Sequence, residues 1–141
     1  MVLDGKHVAI LNFGARMHEC KKASEVLKKK GITISIFDAR FAKPLDEKLI
    51  IELASNHEAV VTIEEGTIGG FGSHVTKLLS DRGFFDRGLK FRSMFLPDKF
   101  LDQDTPENMY KTAGLDCDSI VQKVENILNS NVVIAKNKNL S

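Results

Sequence analysis

Ala59-Val60-Val61-Thr62-Ile63-Glu64-Glu65-Gly66-Thr67-Ile68-Gly69-Gly70-Phe71-Gly72-Ser73 is the stretch that decides the fold. Ala59 to Ile63 is a short run rich in β-branched residues and reads as a strand. Glu64 to Ser73 holds four glycines and reads as a turn. The turn opens a helix that ends near Gly83, with Val75, Leu78 and Leu79 on its inner side. A strand with so little polar interruption, leading straight into a helix, belongs to a parallel sheet buried on both faces.

The same alternation extends in both directions. Upstream, His7 to Phe13 is a compact apolar run ended by Gly14. Arg16 to Lys30 is predicted helical: Cys20, Ala23, Val26 and Leu27 recur on one face and Gly31 stops it. Ile32 to Phe37 is another strand. Asp38 to Leu45 connects it to a helix that Asp46 caps, running to about Asn56 with Leu49, Ile50 and Leu53 inward. Downstream, Leu89 to Leu96 is the fourth strand, closed by Pro97-Asp98. Thr105-Pro106-Glu107 combines a cap, a first-turn proline and an acidic first turn. Gly114 ends that helix. Asp116 starts the last one, with Ile120, Val121, Val124, Ile127 and Leu128 buried. The expected architecture is α/β: a three-layer α/β/α sandwich on a mostly parallel sheet of four to five strands. It forms one domain over residues 1–128, followed by a loosely held tail, 129–141, in which Val132 to Ala135 can add a short strand.

At 141 residues the chain has the length of one ordinary domain. Its 20 basic and 19 acidic residues leave a formal charge of +1, which argues against nucleic-acid or anionic-membrane partners. Lys28-Lys29-Lys30, the basic run, sits at a helix end, where cations suit the dipole. Met1 to Gly5 is too short and polar for a secretory leader, and the apolar runs are of strand length, not membrane-spanning length. Cys20 and Cys117 share no metal or framework spacing, so two reduced thiols and a cytoplasmic location are expected.

In parallel α/β folds, function gathers at the carboxyl ends of the strands. Here those ends carry Gly14, Asp38 to Pro44, Glu64 to Ser73 and Pro97 to Asp104. The glycine-rich turn has the setting of a phosphate cradle. It lacks both the GK[ST] ending of a P-loop and the GxGxxG spacing, so a tight turn that lets helix and strand approach closely is the simpler reading. Glu64 and Glu65 point to opposite faces of a strand and are poorly placed to act as an acid–base pair. His7, His18, His57 and His74 show no ligand spacing, and His18 and Cys20 fall on different helix faces; capping or solvent-facing roles are expected. Asp102 and Asp104 lack the longer ligand series of a calcium loop. Phe41, Ile68, Phe71, Phe95 and Phe100 fall at or near the edge loops, where apolar side chains either contact another domain or fold back over the core. No catalytic constellation emerges from these residues.

Three stretches, in order and spacing, resemble the C-terminal domain of 1-deoxyxylulose-5-phosphate synthase, within the transketolase superfamily. They are Asp38-Ala39-Arg40-Phe41-Ala42-Lys43-Pro44-Leu45-Asp46; Val61-Thr62-Ile63-Glu64-Glu65-Gly66 with Gly69-Gly70-Phe71-Gly72-Ser73; and Leu96-Pro97-Asp98-Lys99-Phe100, continuing through Gln103-Asp104 to Tyr110 and Ala113-Gly114-Leu115-Asp116. With Val8 to Gly14, the resemblance covers Gly5 to Leu128. Met94-Phe95 and Asp104 depart from it where many members have glycine, which implies a subgroup. The resemblance implies a parent enzyme that uses thiamine diphosphate and Mg²⁺ to condense pyruvate with glyceraldehyde 3-phosphate, releasing CO₂. The product feeds isoprenoid, thiamine and pyridoxal phosphate synthesis. It further implies that the chemistry lies in two preceding domains. This sequence has no Gly-Asp-Gly motif, and neither Glu64 nor Glu65 matches the activating glutamate. No catalytic, cofactor-binding or metal residue carries over. The implied role is support: packing on the preceding thiamine-diphosphate-binding domains and on the homodimer partner, with Phe41, Glu65, Ile68, Phe71 and Phe100 as candidate contacts. Alternatives are the partner-docking C-terminal domain of a 2-oxo acid dehydrogenase β chain, a free-standing anion-binding module, and a pure oligomerisation module.

Overall fold

The computed structural model describes residues 3–39, 44–66, 70–95 and 105–139. Four strands, β1 (Val8–Phe13), β2 (Ile34–Asp38), β3 (Ala59–Glu64) and β4 (Lys90–Met94), alternate with α1 (Met17–Lys29), α2 (Glu47–Asn56) and α3 (Phe71–Asp81), and α4 (Pro106–Ala113) and α5 (Cys117–Asn139) follow. The strands form one parallel sheet in the order β2-β1-β3-β4. Val8 pairs with both Ile34 and Ala59, and Ala59 pairs with Lys90. This is the expected three-layer sandwich.

Side chains alternate across a strand, so each strand feeds two cores. Val8, Ile10, Ala59, Val61 and Ile63 pack under α1 and α5 with Cys20, Leu27, Ile120 and Val124. Ala9, Leu11 and Val60 pack under α2 and α3 with Ile50, Leu53, Val75 and Leu79. The caps read from sequence form as expected: Asp46 Oδ1 accepts from the Leu49 N–H at 3.1 Å, and Thr105 Oγ1 from that of Asn108 at 3.3 Å. Gly114 ends α4 in the left-handed region at φ 76°.

Two expectations are corrected. Val26 is 38% exposed, because the buried face of α1 runs through Cys20, Ala23, Ser24 and Leu27; Val26, six residues after Cys20, points well away from it. Val132 to Ala135 form no strand. The backbone stays helical to Asn139, since residues 115–141 contain no glycine or proline to stop α5.

The segment before β1 runs antiparallel along the outer edge of β2. Leu3 and Ile36 exchange both backbone hydrogen bonds, Gly5 N–H donates to Ser35 Oγ at 2.9 Å, and His7 N–H donates to Thr33 O. His57 lies beneath this strap. Its Nδ1 bonds Leu53 O at 2.9 Å, capping α2, and its Nε2 lies 2.8 Å from Ser35 Oγ. At the opposite edge, β4 is half-exposed and carries the exposed Arg92, a charge that discourages pairing with another strand.

Candidate functional site

The sheet grows from β1 to β2 in one direction and from β3 to β4 in the other. The crevice where such folds take ligands therefore lies beyond the carboxyl ends of β1 and β3. Among the described residues, the chain's own side chains bridge it, while cavities of about 320 and 280 Å³ stay open to either side of Phe71 and Glu64. On the α1 side, Arg16 Nε bonds Glu65 Oε1 at 3.2 Å, joining the loops that follow β1 and β3. The Arg16 guanidinium also stacks 3.5 Å from the Tyr110 ring centroid. On the α3 side, Phe13 and Phe71 stack with centroids 5.2 Å apart.

Glu64 and Glu65 do face opposite ways, as strand alternation requires. Glu64 is 3% exposed and points into the α3 side. Its Oε1 accepts the Phe71 N–H at 3.1 Å, and its Oε2 accepts the Gly72 N–H. The first free N–H groups of α3, which in a phosphate cradle would face an anion, are therefore held by an internal carboxylate. Gly72 is a close-packing position. A methyl group on Gly72 would lie 2.9 Å from both Thr62 Oγ1 and Ser93 Oγ and 3.3 Å from Glu64 Oε2.

The N-terminus of α5 is closed in the same way. Glu19 Oε2 accepts the Cys117 N–H at 2.8 Å, and Asp116 Oδ1 accepts that of Ser119 at 3.3 Å. Burial pushes the Glu19 carboxyl up, but hydrogen bonds from Lys22 and the Cys117 backbone, with the charges of Lys22 and Arg16, outweigh it and hold it below its usual value. Tyr110 is pushed up, first by its hydrogen bond to Glu65 and then by burial. Burial pushes the Cys20 thiol up to about 12, and Cys117 is raised by the same cause. Neither is an activated thiolate. Asn12 is fully buried at the end of β1, where its Nδ2 donates to Gly14 O at 2.9 Å and Asp38 Oδ1 at 3.3 Å.

Of the candidate contact residues, Glu65 lies at the centre of this edge, one-third exposed. Phe71, 2% exposed, folds back over the core, one of the two roles open to it. Phe41, Ile68 and Phe100 lie outside the described residues, as do Asp102 and Asp104. His18 is exposed and Cys20 buried, on different faces of α1. Arg16 and Glu19 were not singled out in the sequence. They precede or begin a helix otherwise read for its apolar face, and their partners lie 49 and 98 residues away.

The fold and this edge define a class: a parallel α/β/α domain whose ligand crevice is bridged by its own ion pair, ring stack and capping carboxylate. A family model described as the transketolase C-terminal domain matches residues 1–120. The chain belongs to the transketolase C-terminal domain family. Among solved structures it is similar to a split-gene transketolase in the form of an inactive β4 tetramer. The two share 30% identity over 90% of this chain and 41% of the other, with a TM-score of 0.80. A 2-oxoglutarate:ferredoxin oxidoreductase from Magnetococcus marinus, with 2-oxoglutarate, coenzyme A and succinyl-CoA bound, shares the fold. It covers 90% of this chain and 19% of its own at 12% identity and a TM-score of 0.56. The chain thus spans less than half the length of either relative. No described helix is long and apolar enough to cross a membrane.

Proposed function

We propose that the chain is the non-catalytic C-terminal domain of a 1-deoxy-D-xylulose-5-phosphate synthase. It braces the preceding thiamine-diphosphate domains and the homodimer in which they condense pyruvate with glyceraldehyde 3-phosphate. The observation that supports this reading is the internally bridged edge. The edge where an α/β enzyme would take its ligand is stiffened by Arg16–Glu65–Tyr110 and by Glu64 on α3. A rigid edge is what a neighbouring active site needs from a supporting domain. Glu65, with Phe41, Ile68 and Phe100, would meet the neighbour, while Phe71 stiffens the edge from inside. By their resemblance, the Leu96-Pro97-Asp98 and Ala113-Gly114-Leu115 segments favour the synthase over a 2-oxo acid dehydrogenase β chain. Gly114 turns left-handed and sets Leu115 into the core, 0% exposed.

Intact members of this family are thiamine-dependent enzymes that use thiamine diphosphate and a divalent metal. The described residues do not fit that pair. No three His, Cys, Asp or Glu side chains among them converge as metal ligands, and the N–H groups placed to meet a diphosphate are bonded to Glu64. The same occupancy argues against a free-standing anion-binding module.

The test is to titrate the chain with thiamine diphosphate and Mg²⁺ by calorimetry, then to add the missing thiamine domains of a 1-deoxyxylulose-5-phosphate synthase and follow CO₂ release from pyruvate. The expected result is no heat with the chain alone and restored turnover in the mixture. Micromolar binding or turnover by the chain alone would overturn the reading, as would activity restored by the rest of a 2-oxo acid dehydrogenase but not of the synthase.

A further inference from the structure

We propose that Ser35 and His57 form a proton-operated latch on the strap, Leu3 to His7. The latch fastens the strap to the sheet when His57 is charged and loosens it when His57 is neutral. The inference goes beyond the support role and does not depend on which reaction the parent protein performs.

Too few protons serve the contacts around one buried hydroxyl. Ser35 is 1% exposed. Its Oγ accepts the Gly5 N–H at 2.9 Å and lies 3.0 Å from the Gly5 carbonyl oxygen and 2.8 Å from His57 Nε2. A hydroxyl has one proton to give. The Gly5 carbonyl can only accept, so a bond to it uses that proton, and His57 Nε2 must then donate. At the other side of the ring, Nδ1 lies 2.9 Å from Leu53 O, which also can only accept. All these contacts are satisfied together only when both ring nitrogens carry a proton, which makes the ring an imidazolium.

A neutral ring has one N–H. Kept on Nδ1, it preserves the bond to Leu53 O, and Nε2 takes the Ser35 proton, so the Gly5 carbonyl loses its donor. Moved to Nε2, it leaves the Nδ1 lone pair facing those of Leu53 O at 2.9 Å. The first arrangement costs less, because Gly5 is only half-buried and its carbonyl can turn to water. The loss therefore falls on the strap. The strap has little else to hold it: the paired bonds of Leu3 with Ile36, His7 N–H to Thr33 O and Lys6 N–H to Thr33 Oγ1. Leu3 is 38% exposed and adds little apolar burial. The seat at Gly5 is also tight, since a methyl group there would lie 2.4 Å from the Ile34 carbonyl carbon.

Among the described hydrogen bonds and ion pairs, none joins a charged group to the His57 ring. Glu58 and Arg87 share with it a cavity of about 390 Å³ at the amino edge, where Glu58 pairs with Lys90 at 2.6 Å and Arg87 stacks on Phe84. On the strap, the exposed Asp4 and Lys6 flank Gly5. His7 acts in the opposite sense. Its Nδ1 accepts the Thr33 N–H at 3.1 Å, so a proton there displaces a bond between β2 and the strap.

The experiment measures amide hydrogen exchange of the whole chain by NMR at about pH 5.5 and about pH 8, the range in which imidazoles change charge. Rates are expressed as protection factors, so that base catalysis of exchange cancels, and the His57 Cε1 proton is followed through the same titration. We expect the Leu3 and Gly5 amides to be about five-fold better protected at the acid end, the effect of one hydrogen bond on a local opening, in step with the His57 resonance. His57→Ala leaves the Ser35 proton to Gly5 O at every pH, so protection should stay at the acid level throughout. Ser35→Ala should give low protection without a pH step, and it carries the test if His57→Ala fails to fold. Equal protection at both ends in the unsubstituted chain would overturn the proposal. So would a strap that loosens in acid, which would assign the control to His7, or a pH step that persists in His57→Ala.

Discussion

Replacing Glu64 by glutamine is nearly isosteric, yet the structure requires it to be severe. Each carboxylate oxygen accepts one backbone N–H at the start of α3, from Phe71 and from Gly72, inside a site only 3% exposed. A glutamine carbonyl can serve one of these donors. Its NH₂ group then faces the other, a donor against a donor. A hydrogen bond to a charged acceptor contributes about 1.5–3 kcal/mol, and a buried donor left unsatisfied costs about 1–3 kcal/mol. The expected loss for Glu64→Gln is therefore about 3 kcal/mol, or about 10 °C in midpoint for a domain of this length. Urea titrations of both proteins, monitored by far-UV circular dichroism, would measure it. Glu64→Ala should lose at least as much, and sulfate should then restore more stability than it gives the unsubstituted protein, because two helix N–H groups become free to bind an anion. A Glu64→Gln protein within about 0.5 kcal/mol of the original would refute the capping argument, and with it the claim that the edge is bridged from within.

Two further expectations concern protonation. Glu19 has a depressed carboxyl in the folded state, so its contribution is present above the pKa of the unfolded chain and disappears as pH falls through the folded value. Glu19→Gln should flatten the acid limb of the stability–pH curve below about pH 4.5 and leave the neutral region little changed in slope; an unaltered acid limb would remove Glu19 from the network. Tyr110 is the chain's one tyrosine and the chain has no tryptophan, so phenolate absorbance reports it without interference. It should ionise above its ordinary value, and Glu65→Gln should bring it down by removing the first cause of the shift. No movement on that substitution would show that Glu65 does not hold the phenol.

Periodicity made the layers legible before any coordinates. The buried residues of β1 and β3 form the near-continuous apolar runs expected of a two-sided sheet, and Asp46, Thr105 and Gly114 stand where caps and stops belong. Val26 misled because it was grouped on one face with Cys20, Ala23 and Leu27, whereas the 3.6-residue period carries it off that face. The edge was half legible. Strand alternation separated Glu64 from Glu65, but it gave no hint that Glu64 turns onto its own helix seven residues on. Arg16, Glu19 and Tyr110 were out of reach for a different reason. Their contacts join segments dozens of residues apart, and local pattern carries no information about which surface loops meet. The family resemblance implied a support role, and the side-chain geometry adds the contacts that join the edge loops.

The strap along β2 has a consequence for anything joined upstream. Leu3 bridges antiparallel to Ile36 in the middle of β2, and the backbone passes Ser35 at Gly5 before β1 starts beside Ile34. A polypeptide attached ahead of Leu3 would start from the β2 edge of the sheet, and each extra residue adds at most about 3.6 Å of reach. Such a tether converts docking of a neighbour into an intramolecular event at millimolar effective concentration. Weak contacts at the edge, too few to hold two free proteins together, would then suffice to keep the domain seated.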